Sequence, residues 1–137
     1  MQLTSFTDYS LRTLVYLGMH QQRLCTAKEV AKFYHISQNH MVKIVHNLAK
    51  LGIINSSKGK GGGITLAQTP KEINIGELVA KLEPNFYIAE CFNQSLKNCV
   101  LLPDCKLKGL LNNALQAFFN ELNQYTLADV ITLDRMG

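Results

Sequence analysis

From residue 5 onward the chain places apolar side chains three and four positions apart. Leu11, Leu14, Val15 and Gly18 share one side of a helix predicted from Ser5 to about His20, with Thr7 or Ser5 as its N-cap and Asp8 in its first turn. Asp8 and Arg12 stand four apart on it and can pair as an exposed bridge worth roughly a few tenths of a kcal/mol. After the polar connection HQQRLC, Thr26 and Glu29 supply both halves of a capping box for a short second helix, whose buried face is Val30, Ala31, Phe33 and Tyr34. His35, Ile36 and Ser37 make a tight turn. Ser37 then caps a third helix with Met41, Ile44, Val45, Leu48 and Leu51 inward and Gly52 at its end. Its outer side carries Gln38, Asn39, His40, Lys43, Asn47 and Lys50. Ile53, Ile54 and Asn55 read as a short strand, SSKGKGGG as a hairpin tip, and Ile64, Thr65 and Leu66 as the returning strand. Two helices joined by a three-residue turn and followed by a basic hairpin form a winged helix-turn-helix.

Past Pro70, Asn74 and Glu77 cap another short helix, with Ile75, Leu78, Val79 and Leu82 inward and Pro84 marking its end. A cysteine-containing loop leads into Leu107, Leu110, Leu111, Ala114, Leu115, Phe118, Phe119, Leu122 and Tyr125, which keep a three-four rhythm over about five turns. Such a helix is roughly 28 Å long, too long and too apolar on one side for so small a domain to cover. Its expected role is dimerisation, with Leu107, Leu111, Leu115, Phe118 and Leu122 at the interface; the alternative is a helix folded back on its own domain. The expected fold is mainly α with a small β-hairpin: a winged helix-turn-helix domain plus a long C-terminal dimerisation helix. The expected divisions are 1–83 for the winged helix-turn-helix, 84–106 for the cysteine loop, 107–126 for the dimerisation helix and 127–137 for a C-terminal tail.

Charge gives the first half a partner. The net charge of the 137 residues is only +4, but through Pro70 eight Lys or Arg face Asp8 and Glu29 alone, and beyond it six face eight acids. A polyanion is expected to meet the first half. A membrane surface or an acidic partner fits the asymmetry alone equally well, but the winged helix makes duplex DNA the best explanation. No apolar run approaches the length that spans a bilayer. Gln38, Asn39 and His40, at the start of the third helix, carry groups able to read base edges in the major groove. Lys43, Lys50, Lys58 and Lys60 are expected on phosphates, with the wing glycines Gly61 and Gly62 letting the backbone come close. The wing lacks the G-x-x-x-x-G-K-[ST] spacing of a nucleotide-binding loop, and no catalytic triad or carboxylate pair is legible, so an enzyme is not expected.

Three of the four cysteines, Cys91, Cys99 and Cys105, fall within CFNQSLKNCVLLPDC. They can be read as a disulfide with one thiol left over, as a buried apolar cluster, or as soft ligands for zinc or an iron-sulfur centre. The odd count and a start, MQLTSFTDYS, without the pattern of a secretory signal speak against disulfides and for a cytoplasmic protein. The polar neighbours Asn93, Gln94, Lys97, Asn98 and Asp104 speak against burial, which favours metal or cluster binding. His20, His35, His40 and His46 all lie far back in the chain, so a fourth donor has to come from elsewhere, a partner subunit, or a small molecule.

Taken together, MQLTSFTDYSLR, NHMVKI, the GKGGGI wing, the three cysteines and the final LNQYTLADV make the chain resemble the iron-sulfur winged-helix family of bacterial repressors over nearly its whole length, in particular the nitric-oxide-sensing branch. That resemblance implies a homodimer in which Cys91, Cys99 and Cys105 hold a cluster, 4Fe-4S in first place and 2Fe-2S as the alternative. It also implies Asp8 of the other subunit as fourth ligand. On that basis we expect an Asp8–Arg12 switch, with Asp8 restrained on iron and freed to pair with Arg12 when the cluster goes. Where a histidine ligand stands in relatives with a histidine-ligated 2Fe-2S centre, this chain has Lys108, a poor iron ligand. Cys25 matches no ligand position and is a spectator. The implied function is a repressor that releases operator DNA when nitric oxide nitrosylates or removes the cluster. The alternatives are a regulator of the same family answering to iron-sulfur status or redox state, and a zinc- or thiol-based protein that does not bind DNA.

Overall fold

Thr4, not Ser5 or Thr7, starts the first helix. Its extended backbone and its hydroxyl, which accepts from the Thr7 amide at 3.3 Å, cap α1 (Ser5–Met19). The cap sits further upstream than the sequence suggested because a distant carboxylate completes it: Glu83 accepts from the Thr4 amide and hydroxyl at 3.2 Å and from the Thr7 hydroxyl. A negative group at the positive end of a helix is favourable as well as hydrogen-bonded. The computed structural model describes the backbone of residues 1–96, 99–101 and 104–136, and the side chains of these through residue 131 apart from that of residue 96.

Five further helices and one hairpin follow among the described residues: α2 (Ala27–Tyr34), α3 (Gln38–Lys50), β1 (Ile54–Ser57), β2 (Gly63–Leu66), α4 (Ile75–Leu82), α5 (Lys106–Leu122) and α6 (Leu127–Met136). The fold is the expected one, mainly α with a two-stranded antiparallel wing whose register pairs Ile54 with Leu66 and Ser57 with Gly63. The first strand starts at Ile54 rather than Ile53, and the tip is shorter than expected because β1 runs on to Ser57 and β2 begins at Gly63. Cys25 makes an isolated antiparallel bridge on the other edge of β2, exchanging both backbone hydrogen bonds with Ile64 at 3.1 and 2.7 Å. Its thiol is fully buried, and burial pushes its pKa up, so it belongs to the core.

The expected capping box at Thr26 and Glu29 is present in both directions, and Ser37 caps α3 through the His40 amide at 3.1 Å. His35, in the left-handed region at φ 57°, makes the turn between α2 and α3. Val30, Ala31, Met41, Ile44, Val45 and Leu48 are buried as expected. Phe33 is not: it is exposed and lies edge-on to Tyr16. Tyr34 is half-buried, its hydroxyl donating to the Arg12 carbonyl at 2.8 Å, and Leu51 is exposed.

Glu29 also gathers Arg23, in a two-pronged pair at 2.9 and 2.8 Å, and the Tyr16 hydroxyl at 2.8 Å. Chiefly because Arg23 holds its charged form, its pKa falls from an ordinary 4.5 to about 2. The stability this carboxylate contributes is therefore present above pH 4.5 and is lost as the pH falls towards 2. Urea melts of Glu29→Gln and wild type are expected to converge across that window and to differ at neutral pH.

Helix α1 is the hub, packed on α3, α4, α6 and β2. The segment 127–137, expected as a tail, is helix α6 as far as Met136, with Leu127 and Ile131 buried. A hydrophobic pattern this short is legible only once its partner is known, and that partner is Gly18. A β-carbon there would stand 2.1 Å from Ile131 Cδ1. Gly18→Ala is expected to destabilise the protein, since overpacking costs about 1–3 kcal/mol and outweighs the ~1 kcal/mol that Ala gains in a helix. In an Ile131→Val background, which deletes the obstructing methyl, the same change is expected to be neutral or stabilising. Equal penalties in the two backgrounds would mean that α6 does not pack on Gly18.

Candidate functional site

Two surfaces carry the residues singled out from the sequence. On the first, α3 and the wing, Gln38, Asn39, Lys43 and Lys50 are exposed along the outer side of the helix, and Lys58, Lys60 and Gly61 are exposed at the wing tip, with Gly62 half-buried. Gly59 and Gly61 have φ of 88° and 80°, a backbone that only glycine adopts without strain, so the tip depends on them. A β-carbon on Gly62 would meet the Ser57 carbonyl oxygen at 2.3 Å, so Gly62 is a packing requirement of the turn as well as an expected phosphate neighbour. His40, the third expected base reader, is half-buried and lies edge-on to Tyr9 of α1, ring centroids 5.3 Å apart.

Tyr9 went unnoticed in the sequence reading. The Arg12 guanidinium lies 5.4 Å from the centre of its ring, so one aromatic side chain touches both the Arg12 pair and the start of α3. The i to i+3 spacing of Tyr9 and Arg12 is the signal that would have found it. Asp8 and Arg12 pair in two-pronged geometry at 3.0 and 3.1 Å, both about half exposed. In water such a pair is worth little, so it forms and breaks readily.

The second surface is the cysteine loop. Cys91 lies in a 3-10 turn, Glu90–Phe92, and Cys105 is the N-cap of α5; both are half-buried, while Cys99 is exposed. All four cysteines are free thiols, so no disulfide pairs them. Cys105 Sγ accepts from the Lys108 amide at 3.4 Å and faces the positive end of α5. Lys97 and Asn98, counted among the polar neighbours of the thiols, lie outside the described residues. The single chain gathers neither the three thiols with one another nor Asp8 with them: among the described residues no group of three or more His, Cys, Asp or Glu side chains is close enough to hold a metal ion.

Helix α5 has no fully buried residue, and Leu107 and Leu110 are 57 and 66% exposed, so the start of its apolar side is uncovered in one chain. Leu111, Leu115, Phe118 and Leu122 are half-buried. The helix leans on α4 and the segment after it through Phe119, whose ring meets Phe86 at 4.7 Å. Beside it runs a groove of about 390 Å³ that includes Leu3, Phe86, Ile88, Leu115 and Phe118 in its lining. Among the described residues no helix is long and apolar enough to cross a membrane.

A family model described as Rrf2, iron-dependent transcriptional regulator, matches residues 3–133. The chain belongs to the Rrf2 family. An Rrf2 relative from Shouchella clausii, named HTH-type transcriptional regulator NsrR, is 51% identical over 132 residues, covering 96% of this chain and 89% of its own. Among solved structures, CymR, the global cysteine regulator of B. subtilis, superposes with a TM-score of 0.79 at 20% identity over 97% of this chain and 98% of its own. T. potens IscR does so with a TM-score of 0.76 at 21% identity, over 96% of this chain and 87% of its own. The resemblance read from the sequence is thus borne out for family and fold. Like its Rrf2 relatives the protein is a transcriptional regulator and not an enzyme.

Proposed function

We propose that this regulator is a DNA-binding repressor that acts as a cytoplasmic homodimer and responds to nitric oxide through an iron-sulfur cluster. Cys91, Cys99 and Cys105 would hold the cluster, 4Fe-4S in first place and 2Fe-2S as the alternative, with Asp8 of the other subunit as fourth ligand. The observation that carries this reading is the position of Cys105, at once the last thiol of the loop and the residue from which α5 begins. Whatever the thiols hold is thereby coupled to the helix whose uncovered leucines offer the dimer contact.

The donor set fits the group. Three free thiols on one loop are soft ligands suited to iron, and one already sits where a helix end favours negative charge. When bound, the cluster supplies iron with which nitric oxide reacts. The chain's own residues do the rest. Asp8 has two exclusive uses, pairing with Arg12 on its own helix or ligating across the dimer. Arg12 lies over Tyr9, and Tyr9 lies against His40 in the first turn of α3. A change of partner at Asp8 is therefore felt at the residues that read DNA. Lys43, Lys50, Lys58 and Lys60 hold phosphates and set affinity, while Gln38 and Asn39 present amides to base edges.

Fluorescence anisotropy with a duplex from a promoter the protein occupies tests both halves of the proposal. Oxygen-free protein is expected to bind, and to release the duplex on adding nitric oxide. Replacing Lys58 and Lys60 by alanine is expected to lower the slope of log affinity against log salt by about two, one for each phosphate contact. Binding that ignores nitric oxide would contradict the sensing step, and an unchanged slope would take the wing off the phosphates.

A further inference from the structure

Lys108 stands in the first turn of α5, three residues beyond Cys105. Its ammonium cannot ligate iron, yet the structure gives the residue two contacts with the cysteine loop. Its backbone N–H donates to Cys105 Sγ at 3.4 Å, and its Nζ lies 5.8 Å from the centre of the Phe92 ring. Phe92 directly follows Cys91 and closes the 3-10 turn Glu90–Phe92. One residue thus ties the entry of the loop to its exit. Among the described residues no carboxylate pairs with Lys108, so its charge stays unneutralised beside the loop.

We propose that Lys108 is a positioning residue for the thiolate-bound cluster, clasping the start of the cysteine loop to the first turn of α5 and keeping a cation beside the ligating sulfurs. This rests on the cluster reading above. Two consequences follow from the contacts. A cation over an aromatic face at a partly exposed site is worth about 0.5–1 kcal/mol, which corresponds to a two- to fivefold change in how often the loop opens. A positive charge and an N–H directed at a ligating sulfur both favour the more negative, reduced state, and outer contacts of this kind tune the potentials of such centres.

The test uses full-length protein reconstituted with iron and sulfide without oxygen, as wild type, Lys108→Met, Lys108→Arg and Phe92→Leu. Three readouts are taken: the rate of iron loss to EDTA, the midpoint potential, and hydrogen exchange of the Phe92 and Asn93 amides in the metal-free form. Those two amides donate to Ala89 and Glu90 carbonyls within the turn that the clasp holds. Lys108→Met is expected to lose iron about two- to fivefold faster, to shift to a more negative potential and to exchange these amides faster. Lys108→Arg is expected to restore all three. Phe92→Leu, which keeps the charge, is expected to accelerate iron loss with a smaller shift in potential. Lys108→Met that matches a cluster-bearing wild type in iron loss and potential would overturn the clasp alone. Wild type that takes up no cluster would overturn the cluster reading and the clasp with it.

Discussion

Cys105→Ala is expected to empty the cysteine loop while leaving the fold intact. The substitution removes one of three thiol ligands and the sulfur that caps α5. Loss of the cap alone costs no more than about 1 kcal/mol, and α5 contributes no buried residue to the core, so circular dichroism and urea melts should change little. Cluster affinity responds far more strongly. Even partners that merely orient a metal ligand change affinity by about 10–100-fold, and a lost ligand exceeds that range. Iron and sulfide per chain after oxygen-free reconstitution should fall to background, and DNA binding should stop responding to nitric oxide. Cys25→Ala should show the opposite pattern, since Cys25 is fully buried and paired with Ile64: normal iron content and a lower melting temperature. A Cys105→Ala protein with wild-type iron content would remove Cys105 from the ligand set.

Leu107→Glu is expected to abolish tight DNA binding without touching any residue assigned to DNA. Leu107 is 57% exposed on the uncovered side of α5, so a carboxylate there is well solvated in the single chain and the fold tolerates it. In a dimer the same carboxylate would be buried against apolar surface, at a cost no hydrogen bond offsets. Loss of the second recognition helix removes the linked binding of two half-sites, which is worth about 10²–10⁴ in affinity. Light scattering should report a monomer, and anisotropy should report weak, salt-sensitive binding. A dimer that survives the substitution would move the interface away from the start of α5.

The elements that were legible in the sequence are those whose signals are local. The N-caps and apolar stripes of α2 and α3, and the glycines that end α3 and shape the wing, need only their neighbours to be read, and they stand where expected. What the sequence hid depends on distant partners. Thr4 caps α1 because Glu83 reaches it from the end of α4. Residues 127–136 are helical and docked because Gly18 leaves room for Ile131. Phe33 and Leu51 carry an apolar signal but lie on the outer sides of their helices. The site follows the same rule. Its thiols, basic wing and Asp8–Arg12 pair were visible as residue types, whereas the half-burial of His40 against Tyr9 and the contact of Lys108 with Phe92 are tertiary facts. Nor does one chain gather the three thiols, or Asp8 with them, into a metal-sized group among the described residues.

The most direct test of the central claim is the visible absorption spectrum of protein purified without oxygen, recorded before and after stoichiometric nitric oxide. A brown sulfur-to-iron charge-transfer band that gives way to a new spectrum on adding nitric oxide is the predicted result. A protein that stays colourless even after oxygen-free reconstitution with iron and sulfide would contradict it, leaving the winged helix in place and making zinc or thiol oxidation the chemistry of the cysteine loop.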